Sequence, residues 1–177
     1  MSIKKTLPYL GIPLLITAYL MLIPKETEVI RIICSITLIS FMYIAAYLDF
    51  KTRKIPNRLV LVMLVVWLVI ASGYVIFDIN AAIQFLIQAA ISGIAAGSFF
   101  MFIYIVSRKS VGGGDVKLMA VSGLFLTLAK LLPMIFVSSL LAAIASALLL
   151  ITNRATMKTA IPLVPFLFAG VLIVIFM

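Results

Sequence analysis

Two aspartates in this chain sit where chemistry is possible. Asp49 follows the apolar run Ile44-Ala45-Ala46-Tyr47-Leu48, and Asp115 follows Gly112-Gly113-Gly114 and opens another apolar run. An ionisable group at the edge of an apolar segment is costly, so it is a functional candidate by default. Two carboxylates a few Å apart cannot both ionise cheaply, and they share one proton. The ionised partner can then take a proton from water while the other protonates a carbonyl oxygen. That is aspartic-protease chemistry, and it needs neither histidine nor metal. Position alone leaves a second role open, in which each carboxylate simply pairs with a neighbouring Lys or Arg.

The rest of the inventory narrows the chemistry. The 177 residues include no histidine. That removes Ser-His-Asp triads, Cys-His pairs, His-ligated zinc and the HExxH metalloprotease motif. Cys34 is the single cysteine, so the chain has no intrachain disulfide and no Cys-x-x-Cys knuckle. The acids are Glu26, Glu28, Asp49, Asp78 and Asp115. No metal and no cofactor is expected.

The flanks of the two aspartates add detail. Glycine permits positive φ and close backbone approach, so Gly112-Gly113-Gly114 gives room for an extended chain beside Asp115. A flexible turn capping a helix explains the same residues. A helix starting there favours the ionised form of Asp115, and a helix ending near Asp49 favours its protonated form. Asp49 is followed by Phe50-Lys51-Thr52-Arg53-Lys54-Ile55-Pro56-Asn57. Pro56 disfavours helix at Ile55, so the apolar segment ends soon after Asp49. Lys51, Lys54 and Arg58 fit a purely topological role.

The elements that must position these residues are membrane helices. Hydrophobic residues make up 66% of the chain and charged ones 11%, and the mean hydropathy is +1.34. A soluble domain of this size has too much surface to hide that excess. A spanning helix needs about 20 apolar residues. Candidate spans are 7–24, 29–48, 59–77, 81–106, 114–132, 134–151 and 160–177. As one helix, 118–151 would reach about 51 Å, so a turn at Lys130–Pro133 is expected to divide it. The first span is read as a retained anchor, since no small-residue cleavage site follows it. Gly93 and Gly97, four residues apart, are read as a close helix-packing face.

The net charge is +9. No basic stretch is long enough to form a nucleic-acid groove or arm, so nucleic acid is not an expected partner; the lipid bilayer is. With the N-terminus in the cytoplasm, Lys4, Lys5, Lys51, Arg53, Lys54, Arg58, Arg108, Lys109, Lys117, Arg154 and Lys158 fall inside, and Lys25, Arg31 and Lys130 outside. That asymmetry predicts seven spans, N-in and C-out. Asp49 and Asp115 then share the cytoplasmic side at similar depth.

Three runs together resemble the type IV prepilin peptidase family, which includes archaeal preflagellin peptidases. They are Asp49 with Arg53-Lys54-Ile55-Pro56-Asn57, Gly112-Gly113-Gly114-Asp115-Val116-Lys117-Leu118, and Ile161-Pro162-Leu163-Val164-Pro165-Phe166. The Gly-x-Gly-Asp run is also similar to that of presenilin-type proteases. The resemblance implies an all-α polytopic aspartic endopeptidase of the cytoplasmic membrane. Such an enzyme cuts the short basic leader of prepilin-like or preflagellin-like precursors on the cytoplasmic side. By match, Asp49 and Asp115 take the catalytic positions, Gly112 and Gly114 the motif glycines, and Lys117 the basic residue after them. Gly113, Arg53, Pro56 and Asn57 are expected to support the site or the substrate's approach.

Residues 29–177 are read as a six-helix catalytic core and 1–28 as an added anchor. Large members of the family carry paired Cys-x-x-Cys and also N-methylate their product. This chain resembles the small, peptidase-only branch, so cleavage without methyl transfer is expected. Two rivals are a proton- or ion-coupled transporter subunit, which would use the acids as a relay near the midplane, and a catalytically silent pilus assembly factor. The oligomeric state is not legible in the sequence.

Overall fold

A computed structural model describes residues 11–12, 15–16, 29–107, 112–152 and 162–177. The described residues form six α-helices and no strand: α1 Val29–Thr52, α2 Asn57–Phe77, α3 Ile79–Val106, α4 Gly113–Phe125, α5 Leu128–Ile151 and α6 Val164–Phe176. Four of them, α1, α2, α3 and α5, are long and apolar enough to cross a membrane. At 1.5 Å per residue, α4 and α6 reach only about 20 Å, against roughly 30 Å of hydrocarbon. The expected seven full spans are therefore four long helices and two short ones among the described residues. The span at 7–24 lies outside them, apart from four residues in helical conformation.

The helices end where backbone chemistry dictates. α1 stops at Arg53, which takes the left-handed conformation at φ 52° and donates its N–H to the Asp49 carbonyl at 2.8 Å. Pro56, in extended conformation, then precedes α2. One residue, Asp78, joins α2 to α3. It ends the first helix and caps the second, accepting from the Asn80 and Ala81 N–H groups at 3.0 and 3.1 Å. This is ordinary N-cap chemistry.

The division of 118–151 differs from the expectation. The turn lies at Leu126–Thr127, and Lys130 and Pro133 fall inside α5. Pro133 is only the sixth residue of α5, so the carbonyl its missing N–H leaves free is close to the helix start. The bond lost is the one to the Ala129 carbonyl, in the first turn.

Short α4 sits at the centre of the bundle. It packs most extensively on α3 and also meets α1 and α2. Leu118 and Met119 are fully buried, with Leu38, Ile39 and Met42 of α1 and Met63 of α2. The expected close packing at Gly93 and Gly97 is present. A Cβ on Gly93 would stand 2.6 Å from the Leu124 side chain, and one on Gly97 3.1 Å from Ala120. Gly123 returns the contact, since a Cβ there would meet the Ser92 carbonyl at 2.7 Å. Backbones this close gain van der Waals contact, the main attraction between helices in lipid. Trp67 of α2 donates its indole N–H to the Leu124 carbonyl at 2.9 Å, which partners a polar group that lipid cannot. Leu61, Ile76, Phe102, Phe136 and Ile144 face outward and are exposed. An apolar exterior over apolar helices makes this a multi-pass membrane protein.

Candidate active site

The two aspartates lie at the same end of the bundle. Asp49 lies in the last turn of α1 and is 7% exposed. Asp115 is the third residue of α4 and is half-buried. The two are near enough for the charge of Asp49 to act on Asp115. Lys51 in the last turn of α1, Arg53 and Lys54 on the α1–α2 loop, Arg58 in the first turn of α2 and Lys117 near the start of α4 belong to the same end. Arg31 and Lys130 lie together near the other end.

Among the described residues, each carboxylate accepts from one backbone N–H. The Gly112 N–H donates to Asp115 Oδ2 at 3.1 Å, while the Asp115 N–H donates to the Gly112 carbonyl at 3.0 Å. An acid three residues after the cap, reaching back to the cap's own N–H, is the side-chain half of a capping box. The Val164 N–H, at the first residue of α6, donates to Asp49 Oδ2 at 3.0 Å. Among the described residues neither carboxylate is paired with a Lys or Arg, so the pairing role that position left open does not describe this geometry.

Asp115 lies in a helix too short to cross the membrane and outside the four spanning ones. Burial is the first cause acting on it and the nearby Asp49 charge the second. Both outweigh the Gly112 N–H, and Asp115 is pushed up to about 6. That direction runs against the expectation that the helix N-terminus keeps Asp115 ionised. The helix N-terminus does favour the charge on Asp115, but one hydrogen bond does not offset burial plus a like charge.

The three glycines differ. No glycine among the described residues has positive φ, so of the two freedoms glycine permits, left-handed backbone is not used here. Close approach is the real constraint, and it falls on Gly114. A Cβ there would be 3.1 Å from Ile55 Cβ and 3.4 Å from the Ile55 carbonyl. A Cβ on Gly112 would crowd Asp115 Oδ2 at 3.2 Å, whereas one on Gly113 meets nothing within 4 Å. The Gly-x-Gly-Asp spacing thus has a steric meaning in which the middle residue is free.

The supporting residues separate likewise. Lys117 Nζ donates to Asn57 Oδ1 at 3.3 Å, tying α4 to the start of α2. Between these helices a groove of about 550 Å³ is lined by both residues with Arg58, Val60, Leu61, Leu64, Ala120 and Val121. Arg53 acts through its backbone and keeps an exposed side chain; Pro56 shapes the entry to α2. Sequence reasoning missed two neighbours of the aspartates, Ile55 against Gly114 and the Val164 N–H on Asp49. The prolines at 162 and 165 were the available signal for the second, because they mark where α6 begins. Ile161 lies outside the described residues.

Comparison with known proteins follows the same residues. A model described as the type IV leader peptidase family matches residues 36–147, a stretch that contains both aspartates. A prepilin leader peptidase/N-methyltransferase of Bacillus subtilis is 31% identical over 137 residues, which cover 77% of this chain and 52% of that protein. A protein of the same name from Xanthomonas campestris is 26% identical over 134 residues, covering 75% of this chain and 46% of the relative. The chain thus spans about half the length of these relatives. No solved structure matches.

Proposed function

The chain belongs to the type IV leader peptidase family, and on that premise we propose that it is a membrane aspartic endopeptidase. Its substrate is a prepilin-like or preflagellin-like precursor, from which it removes the short basic leader. The observation that carries this reading is that Asp49 and Asp115, drawn from two helices, lie within electrostatic reach of each other.

The chemistry needs only these two groups and water. The ionised carboxylate removes a proton from water as its oxygen attacks the scissile carbonyl carbon. The protonated carboxyl gives its proton to the carbonyl oxygen, forming a neutral gem-diol. As that species collapses, one gem-diol hydroxyl returns its proton to the ionised carboxylate, the C–N bond breaks, and the proton taken from water passes to the leaving amine. The dyad ends with the single proton it began with. Burial and the Asp49 charge push Asp115 toward its protonated form, although the pair titrates as a unit. No metal or cofactor enters these steps.

The remaining assignments rest on the same premise. Residues 29–177 form the catalytic core, with 1–28 an anchor. The basic loops beside the aspartates support a site facing the cytoplasm from the cytoplasmic membrane. The named relatives carry a second activity in their names, methyl transfer. To these 177 residues we assign cleavage alone, because their one cysteine cannot supply paired Cys-x-x-Cys. A proton relay would place the acids near the midplane, and these lie at one end of the bundle.

The test is direct. Purified chain in detergent or bilayer, given a precursor with a basic leader ahead of an apolar segment, should release the leader. Intact precursor after prolonged incubation, with the chain folded, would refute the reading.

A further inference from the structure

The run Pro162-Leu163-Val164-Pro165 has no role in the chemistry above, yet it starts the helix that touches Asp49. A helix begins with N–H groups that have no partner inside it, and here their fate can be followed one by one. Pro165, the second residue of α6, has no N–H to offer. The Phe166 and Leu167 N–H groups both turn back to the Leu163 carbonyl, at 3.1 and 3.2 Å. The Val164 N–H is what remains of the first turn's donors. It points to Asp49 Oδ2 at 3.0 Å, at a buried site.

We infer that the start of α6 is a positioning device for the dyad, with Val164 as its positioning residue. Proline and the Leu163 carbonyl withdraw the competing donors. A single N–H of this turn is committed to one oxygen of Asp49, Oδ2. Among the described residues that N–H is the one donor to this carboxylate. Val164 itself is fully buried and Leu167, one turn on, is nearly so. Phe168 of the same helix packs edge-on against Tyr43 of α1, with ring centroids 5.8 Å apart. The donor is therefore fixed relative to the helix that carries Asp49. A carboxylate held on one oxygen keeps one orientation, and small misplacements of a reacting group cost rate rather than binding. The role in cleavage rests on the peptidase reading; the hydrogen bond does not.

The group to remove is a backbone N–H, so the test is an amide-to-ester exchange. Val164 is replaced by its α-hydroxy analogue in the full chain, and Phe166 likewise as the control. The Phe166 ester loses a bond to Leu163 in the same turn and leaves Asp49 alone. The chain has three aspartates, Asp49, Asp78 and Asp115, so ¹³Cγ labelling gives three resonances that Asn variants assign. The Val164 ester should move the Asp49 resonance, leave that of Asp78 in place, and lower kcat about tenfold or more with KM within about twofold. The Phe166 ester should move neither the Asp49 resonance nor kcat. An unmoved Asp49 resonance in the Val164 ester overturns the inference whatever the activity. A moved resonance with unchanged kcat also overturns it, because the bond would then position nothing. If the parent chain cleaves no leader-bearing precursor while the resonance moves, the peptidase reading fails and the hydrogen bond stands.

Discussion

Gly114 lies against Ile55, so closely that a side-chain carbon on the glycine would stand 3.1 Å from Ile55 Cβ and 3.4 Å from its carbonyl oxygen. The contact presses the loop after α1, just beyond Asp49, onto the residue before Asp115. Overpacking at such a contact typically costs 1–3 kcal/mol, which here falls on the distance between the two acids. Gly114→Val should lower kcat/KM by at least about tenfold. Gly113→Ala, which meets open space, should stay within about threefold of the parent. Equal effects at the two positions would refute this account of the motif.

The aspartates act as one unit. Asp49→Asn and Asp115→Asn should each lower cleavage by roughly 10²–10⁴-fold, the range for loss of a positioned acid or base. The double variant should be no worse than the weaker single, since members of one catalytic unit are not additive. All three should reach the membrane at parent levels. Substantial cleavage by either single variant in a purified assay would exclude the dyad mechanism.

Acidity should shape both activity and stability. Asp115 is raised from 3.8 to about 6, so the fold holds this proton more tightly than the unfolded chain does. Its contribution to stability is complete below 3.8 and is lost as pH rises through about 6. Asp115→Asn, neutral throughout, should therefore have a higher Tm than the parent above pH 6, with the gap closing near pH 4. For activity, kcat/KM should fall on the alkaline side as Asp115, raised to about 6, loses its proton. A Tm gap that widens toward low pH would contradict the assigned direction.

Lys117 holds the α4–α2 contact through Asn57 and stays exposed. One exposed charge contributes about 1 kcal/mol or less. Lys117→Ala should then impair cleavage by up to about fivefold without abolishing it. Lys117→Gln, which retains a donor for Asn57, should recover part of the loss. Complete inactivation by Lys117→Ala would give this residue a direct chemical role.

Cleavage should proceed without methyl transfer. Purified chain, a leader-bearing precursor and S-adenosylmethionine should yield a trimmed product with a free α-amine. A product heavier by one methyl group in intact-mass spectrometry, with no other protein present, would overturn that assignment.

The sequence by itself determined the solvent and the chemistry. Apolar excess, absent histidine and a single cysteine need no coordinates to read, because they bear on any fold the chain adopts. Asp49 and Asp115 were legible too, since a carboxylate at the edge of an apolar run stands out wherever the run lies. The start of α2 after Pro56 and the tight faces at Gly93 and Gly97 follow from local backbone rules. What needed the tertiary structure was every relationship between distant residues. Hydropathy cannot tell a full span from the 13-residue α4, because the buried centre of a bundle is as apolar as lipid. The turn at Leu126–Thr127 was missed because Lys130 and Pro133 are tolerated in the first turns of a helix. The upward push on Asp115 was missed because burial and the Asp49 charge depend on what surrounds it, whereas the helix N-terminus is visible in sequence alone. The Val164 N–H escaped notice for the plainest reason: every residue but proline has one, and only the packing of α6 against α1 selects which of them meets an aspartate 115 positions away.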